Sequence, residues 1–138
     1  MKKITQASDK EVEFIEAKID EYIQAIKPYT QEKTYVPFRY VIKQNREIVA
    51  GISAYSSMYK IGYIETLWVS EKCRRKGYGK ELLKLIEKEL KTYGCRLVHL
   101  ETFDFQGIDF YKSQNYQVFG ELFHEDTKIR EYFLVKYL

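Results

Sequence analysis

Apolar residues recur at helical spacing early in the chain: Val12, Ile15, Ile19, Tyr22 or Ile23, and Ile26. Ser8-Asp9-Lys10-Glu11 precedes them and reads as a capping box, with Ser at the cap and Glu three residues on. The helix should end near Lys27, because Pro28 disfavours helix in the residue before it. Residues 28–37 read as a loop closed by Pro37. The pattern then turns β-like. Residues 38–43 and 47–56 form two strands joined by Gln44-Asn45-Arg46, residues 57–60 make a second turn, and residues 61–69 form a third strand. These three strands predict an antiparallel meander.

Helical spacing returns over residues 81–93, where Leu82, Leu83, Leu85, Ile86, Leu90 and Tyr93 make one apolar stripe and Gly94 a stop. Residues 96–102 follow as a strand, parallel to the preceding one because a helix separates them. Residues 107–113 predict a short helix ending at Asn115, which tolerates left-handed backbone. Residues 116–122 and 130–137 are closing strands around the turn at residues 124–127. The order α-βββ-α-β-α-ββ predicts one domain over residues 1–138, a mixed sheet with helices packed on it, of the α/β or α+β class.

Composition narrows the function classes. The net charge of +3 is too small for a protein that coats nucleic acid. No apolar run approaches the roughly 20 residues that cross a bilayer, so no membrane is expected. The two lysines near the N-terminus lead into no apolar stretch of a signal peptide. Two cysteines without metal-like spacing fit a reducing, cytoplasmic setting, and no metal is expected.

The positive charge is concentrated in one place. Lys72, Arg74, Arg75 and Lys76 precede Gly77-Tyr78-Gly79-Lys80, between the third strand and the long helix. Glycines let a loop expose consecutive N–H groups, and the helix behind it adds the positive end of its dipole. Strand, basic glycine loop and helix together make a cradle for a small polyanion. A solvated basic turn that merely caps a helix has the same composition.

Arg74-x-x-Gly77-x-Gly79 resembles the Q/R-x-x-G-x-G/A motif of the GNAT superfamily of N-acetyltransferases. Some thirty residues later, Phe110-Tyr111 and Asn115-Tyr116 resemble that family's F-Y-x-x-x-G-F segment, with Asn115 where Gly is usual. The element order is similar as well, over essentially the whole chain. The resemblance implies a GNAT-like fold: a central mixed, mostly antiparallel sheet flanked by helices, whose fourth and fifth strands in the family's count splay apart. It implies transfer of an acetyl group from acetyl-CoA to a primary amine of a small molecule, by direct attack in a ternary complex and without a metal. It also implies a homodimer as one assembly, with Phe119, Phe123 and Phe133 as interface or core.

By the same resemblance, Arg74, Arg75, Lys76, Gly77, Tyr78, Gly79 and Lys80 hold the pyrophosphate, and the backbone of Leu67, Trp68 and Val69 pairs with the pantetheine arm like an added strand. Tyr111 becomes the candidate general acid for the departing thiolate, since a phenol stays protonated at neutral pH. In a chain with 13 Tyr, packing is the competing role. Glu65 is the first choice for the base, because a carboxylate in the run Tyr63-Ile64-Glu65-Thr66-Leu67-Trp68 calls for a reason. It can equally work through a water, anchor a cationic substrate, face solvent or pair with a lysine. Glu101 and Asp104 are weaker candidates. His99 reads as a buried structural histidine. The acceptor is expected to meet residues 26–38 and 122–131, with Glu32, Glu125 and Asp126. Two alternatives share these residues: a coenzyme A-binding regulatory module without turnover, and an acetyltransferase acting on a protein or peptide amine.

Overall fold

The computed structural model describes residues 1–138, which fall into two compact units, Met1–Thr30 and Gln31–Leu138. The first unit is the helix α1, Asp9–Ile26. Its capping box forms as the sequence predicts: the Ser8 hydroxyl accepts from the Glu11 N–H at 3.2 Å, and the Glu11 carboxylate accepts from the Ser8 N–H at 2.8 Å. The chain leaves the helix at Lys27, before Pro28. Tyr29 then folds back and donates its hydroxyl to the Asp20 carboxylate.

The second unit opens with the meander β1 (Tyr35–Gln44), β2 (Glu47–Ser57) and β3 (Ile61–Val69), paired antiparallel. Asn45 and Arg46, at φ 50° and 69°, make the tight turn between β1 and β2, the left-handed pair that matches strand twist. β1 starts earlier than expected. Pro37 does not close a loop but sits inside the strand, opposite Tyr55. It is tolerated because β1 is the edge of the sheet, where a missing N–H leaves no ladder bond unmade.

Helix α2 (Tyr78–Tyr93) carries the chain over to β4 (Leu97–Phe103), which lies parallel to β3. α3 (Ile108–Ser113) and the hairpin β5 (Gln117–His124) and β6 (Ile129–Tyr137) complete a six-stranded sheet of order β1-β2-β3-β4-β6-β5. Asn115 takes the left-handed conformation expected of it, at φ 70°. Leu82, Leu83, Ile86 and Leu90 of α2 pack on Ala50, Ile52 and Ile64 from one half of the sheet and Val98, Leu100 and Leu134 from the other. Each fully buried Leu or Ile of this layer contributes roughly 1.5–3 kcal/mol.

The two halves of the sheet scarcely touch. β3 and β4 pair only at Gly62 with Val98 and at Tyr63 with His99. Beyond them the strands diverge, and the cause lies in β3. Ser53 pairs with Thr66 and Ala54 with Ile64, so Glu65 is an extra residue, a bulge without a partner. A bulge bends its strand and sharpens its twist. β4 is held straight by continuous pairing with β6 from Leu97 to Phe103. The bent strand leaves the straight one, and a gap opens.

Candidate active site

The gap is a cleft of about 930 Å³, at the upper end of the range for small-molecule sites. Residues 64–69 of β3 form one wall and Leu100, Glu101 and Thr102 of β4 the other. The glycine loop and the start of α2 close one end; Phe110 and Tyr111 of α3 line the interior. On its β4 side, β3 from Ile64 onward has no strand partner. Its backbone there is a sheet edge open to an extended ligand.

The cationic end is built by α2. The helix begins at Tyr78, three residues before the sequence pattern shows it, so Gly79 and Lys80 belong to its first turn. Gly77 is the cap and no side chain bonds the free N–H groups. Glu81 is the first residue whose N–H reaches a helical carbonyl, that of Gly77 at 2.9 Å. The N–H groups of Tyr78, Gly79 and Lys80 are left for a ligand, with the helix dipole behind them. Arg74, Arg75 and Lys80 line the same end. Arg74 also braces it: its Nε donates to the Val69 carbonyl at 3.2 Å, fixing the loop to the end of β3. Tyr78 is held from the other side, its hydroxyl accepting from Gln44 at 2.6 Å. Lys76 is exposed and does not line the cleft.

Gly77 and Gly79 serve different needs. Gly77 sits at φ 85°, and a Cβ there would meet nothing within 4 Å. The requirement is conformational, not spatial. Gly77→Ala is expected to lower stability by roughly 1–2 kcal/mol through left-handed strain. A melting curve checks this, and an unchanged midpoint would refute it. At Gly79 a Cβ would lie 3.5 Å from Phe110 and 3.6 Å from Val69, ordinary contact distances.

Tyr111 is only 8% exposed. Its ring stands edge-on to Phe110 and to Tyr116, with centroids 5.2 Å and 5.6 Å away. Its hydroxyl makes no hydrogen bond within the protein, yet no buried polar atom is left unsatisfied. The hydroxyl therefore meets the open space of the cleft that it lines. Burial of the ring pushes the phenol up to about 12. Behind it, Glu87 of α2 accepts from the Tyr116 hydroxyl at 2.7 Å and from Lys136 at 2.9 Å, which fastens this wall to the sheet.

The bulge turns Glu65 outward at the other end of the cleft. It is exposed, and its Oε1 accepts from the Tyr35 hydroxyl at 3.0 Å and from the Ser53 hydroxyl at 3.4 Å. Glu101 lines the facing wall and accepts from the Tyr63 hydroxyl. Asp104, grouped with Glu101 as a weaker base, lies elsewhere: its carboxylate accepts from the Arg130 N–H at 3.2 Å, and it does not line the cleft. Glu32, Glu125 and Asp126 do not line it either, so its acidic groups are Glu65 and Glu101. The His99 ring lies tilted against the Tyr63 ring with centroids 5.0 Å apart, and burial pushes its imidazole below the ordinary value.

The cleft thus gathers Glu65, Leu67, Trp68, Val69, Arg74, Arg75, Gly77, Tyr78, Gly79, Lys80 and Tyr111, leaving out Lys76 of the candidates. Sequence reasoning missed Phe105 and Gln106 at the cleft's mouth. Phe105 had a readable signal, an aromatic residue in a polar loop. It is 68% exposed and stacks on Phe103 at 5.5 Å.

Known structures share this architecture. An acetyltransferase from Bacillus cereus superposes with a TM-score of 0.88 at 30% identity, covering 99% of this chain and 98% of that one. A protein from Agrobacterium tumefaciens gives 0.85 at 18% identity over the whole of both chains. An aminoglycoside 6'-N-acetyltransferase complexed with coenzyme A gives 0.66 at 16% identity, covering 86% of this chain and 78% of that one. No curated protein sequence matches. Residues 5–116 match the sequence model of one family, and with the diverging strands, the glycine loop and the near-complete overlap with the Bacillus cereus enzyme they establish that this chain belongs to the acetyltransferase (GNAT) family.

Proposed function

We propose that this protein moves an acetyl group from acetyl-CoA to the primary amine of a small molecule, in a ternary complex of both substrates. The observation that carries the proposal is the unpartnered hydroxyl of Tyr111, inside a cleft with a phosphate-type cradle at one end and carboxylates at the other. The residues fit the donor. Three free N–H groups and three cations suit a pyrophosphate, and the unpaired edge of residues 64–69 suits an amide-bearing arm.

Acetyl-CoA supplies an acyl thioester: a C–N bond to the amine forms and the C–S bond breaks. The chain's residues manage the protons. The amine arrives mostly as an ammonium, and Glu65, directly or through a water, takes the proton that frees its lone pair. The Tyr111 hydroxyl, which lines the cleft, donates to the departing sulfur, and the second proton that the nitrogen sheds as the amide forms restores the phenol. The walls of Leu67, Val69, Leu100 and Phe110 keep bulk water away from the thioester.

Calorimetric titration with acetyl-CoA tests the donor. One molecule should bind per chain, and Lys80→Glu should weaken it by about ten- to a hundredfold, the loss of a charge-assisted contact. No heat at millimolar ligand would sink the reading. Release of free thiol in the presence of amines then separates turnover from mere binding.

A further inference from the structure

The transfer needs one group to accept a proton, and the cleft offers two carboxylates. Glu65 and Glu101 stand on facing walls, and neither is in an ion pair: the ion pairs of the second unit use Glu87, Glu121 and Glu131 instead. In both residues the Oε1 oxygen is engaged by hydroxyl donors and the Oε2 oxygen receives nothing. The Arg39 guanidinium donates at 2.7 Å to the Tyr35 hydroxyl and lies over the Tyr35 ring, 5.7 Å from its centroid, without an ion pair to Glu65.

The surface beside them is aromatic. Tyr35, Tyr55, Tyr63 and His99 form a row across four strands, with successive ring centroids 4.5, 5.3 and 5.0 Å apart. Glu65 and Glu101 both act on the Tyr55 and Tyr63 hydroxyls, raising them, after desolvation as the first cause. Ring faces and unpaired carboxylate oxygens are together the two kinds of surface that hold an alkylammonium. Tyr111, nine-tenths buried with its hydroxyl unpartnered, lines the same cleft, and on the acetyl-transfer reading it stands at the reacting atoms. The cleft is therefore polar along its length, cationic at the start of α2 and anionic at Glu65 and Glu101.

We propose that the acceptor is a small diamine, and that Glu101, oriented by Tyr63, holds the ammonium that is not acetylated while the other amine reacts. The proposal rests on the acetyl-transfer reading. The held ammonium takes no part in bond making; its charge replaces the cation that neither carboxylate has within the protein. Glu101 is then a specificity residue, and Glu65 is left for the proton of the reacting amine.

The test compares 1,3-diaminopropane, 1,4-diaminobutane and 1,5-diaminopentane with n-butylamine and 4-aminobutanoate in a thiol-release assay on the intact chain. The best diamine should exceed n-butylamine in kcat/KM by about ten- to a hundredfold, mainly through KM, with 4-aminobutanoate the poorest. Glu101→Gln should bring diamine and monoamine to within about threefold of each other. Acetyl-CoA calorimetry and a melting curve on the variant report whether donor site and fold are intact. Equal use of diamine and monoamine by the parent would overturn the diamine assignment and leave acetyl transfer standing. So would a Glu101→Gln variant that slows both amines alike, since Glu101 would then belong to the transfer step. Absence of acetyl-CoA binding would overturn both readings together.

Discussion

Replacing Tyr111 with phenylalanine is expected to lower kcat at least a hundredfold, within the ~10²–10⁴-fold range of general acid catalysis, with little change in acetyl-CoA affinity or melting temperature. The substitution is unusually clean here. The ring stays packed between Phe110 and Tyr116, so no cavity forms. The lost hydroxyl has no partner in the protein, so nothing buried is stranded. What disappears is the donor proposed for the departing sulfur. Because burial pushes the phenol up to about 12, its proton is retained across the working range. The protonated form is the active one, so Tyr111 should impose no alkaline limb on the wild-type rate below about pH 11. The same shift bears on stability. A folded value above the ordinary 10 adds stability that is complete below pH 10 and is lost as pH rises through about 12. A thiol near 8.5 is the stronger acid in water, about 3.5 units below this phenol. Burial raises the thiolate's proton affinity for the same reason it raises the phenol's, which narrows that gap. The transfer is completed from the nitrogen side, where the proton shed as the amide forms restores the phenol. A variant within twofold of wild type in kcat would remove Tyr111 from the proton path.

Much of this arrangement can be read from local sequence, because local physics decides it. The capping box at Ser8 and Glu11 involves neighbours three apart, and the turn at Asn45-Arg46 needs only two residues that tolerate positive φ. The loop from Arg74 to Lys80 is readable because glycine, charge and a following helix coincide. The start of α2 is not, since Gly79 reads as a breaker and is tolerated only within a first turn whose remaining residues are fixed by Arg74 and Tyr78. Pro37 reads as a terminator until the sheet order shows that β1 is an edge. The bulge at Glu65 did leave a trace. Gly62 and Ile64 are buried at even positions, whereas Leu67 and Val69 pack on the same core at odd ones. A strand changes parity only by inserting a residue. The pairing of Glu101 with Glu65 across one cleft has no local trace, because it depends on two strands separated by a helix.

Replacing Gly62 with valine is expected to lower stability by about 3 kcal/mol, the upper part of the overpacking range, and the melting temperature by roughly 10 °C. Backbone preference alone predicts the opposite sign, since glycine inside a strand is weaker than a residue with a side chain by roughly 0.5–1 kcal/mol. Space decides it. A Cβ at Gly62 would lie 2.9 Å from the Leu97 carbonyl oxygen, 3.0 Å from Leu90 Cδ1 and 3.2 Å from Val98 Cβ. Leu90 can shift a methyl group, but the Leu97 carbonyl cannot move cheaply, because β4 is locked to β6 from its first residue, Leu97 opposite Tyr137. The strain falls on the narrowest joint of the fold, the two residue pairs that hold β3 to β4. The same joint is the apex of the cleft, so the folded fraction of the variant should also bind acetyl-CoA more weakly than wild type. Gly79→Ala is the matched control. It adds a methyl at ordinary contact distance and should shift stability by no more than about 0.5 kcal/mol. Denaturant or thermal melts of the two variants side by side make the measurement. If Gly62→Val melted within about 2 °C of the parent, the close fit between β3 and β4 would not be what joins the two halves of the sheet.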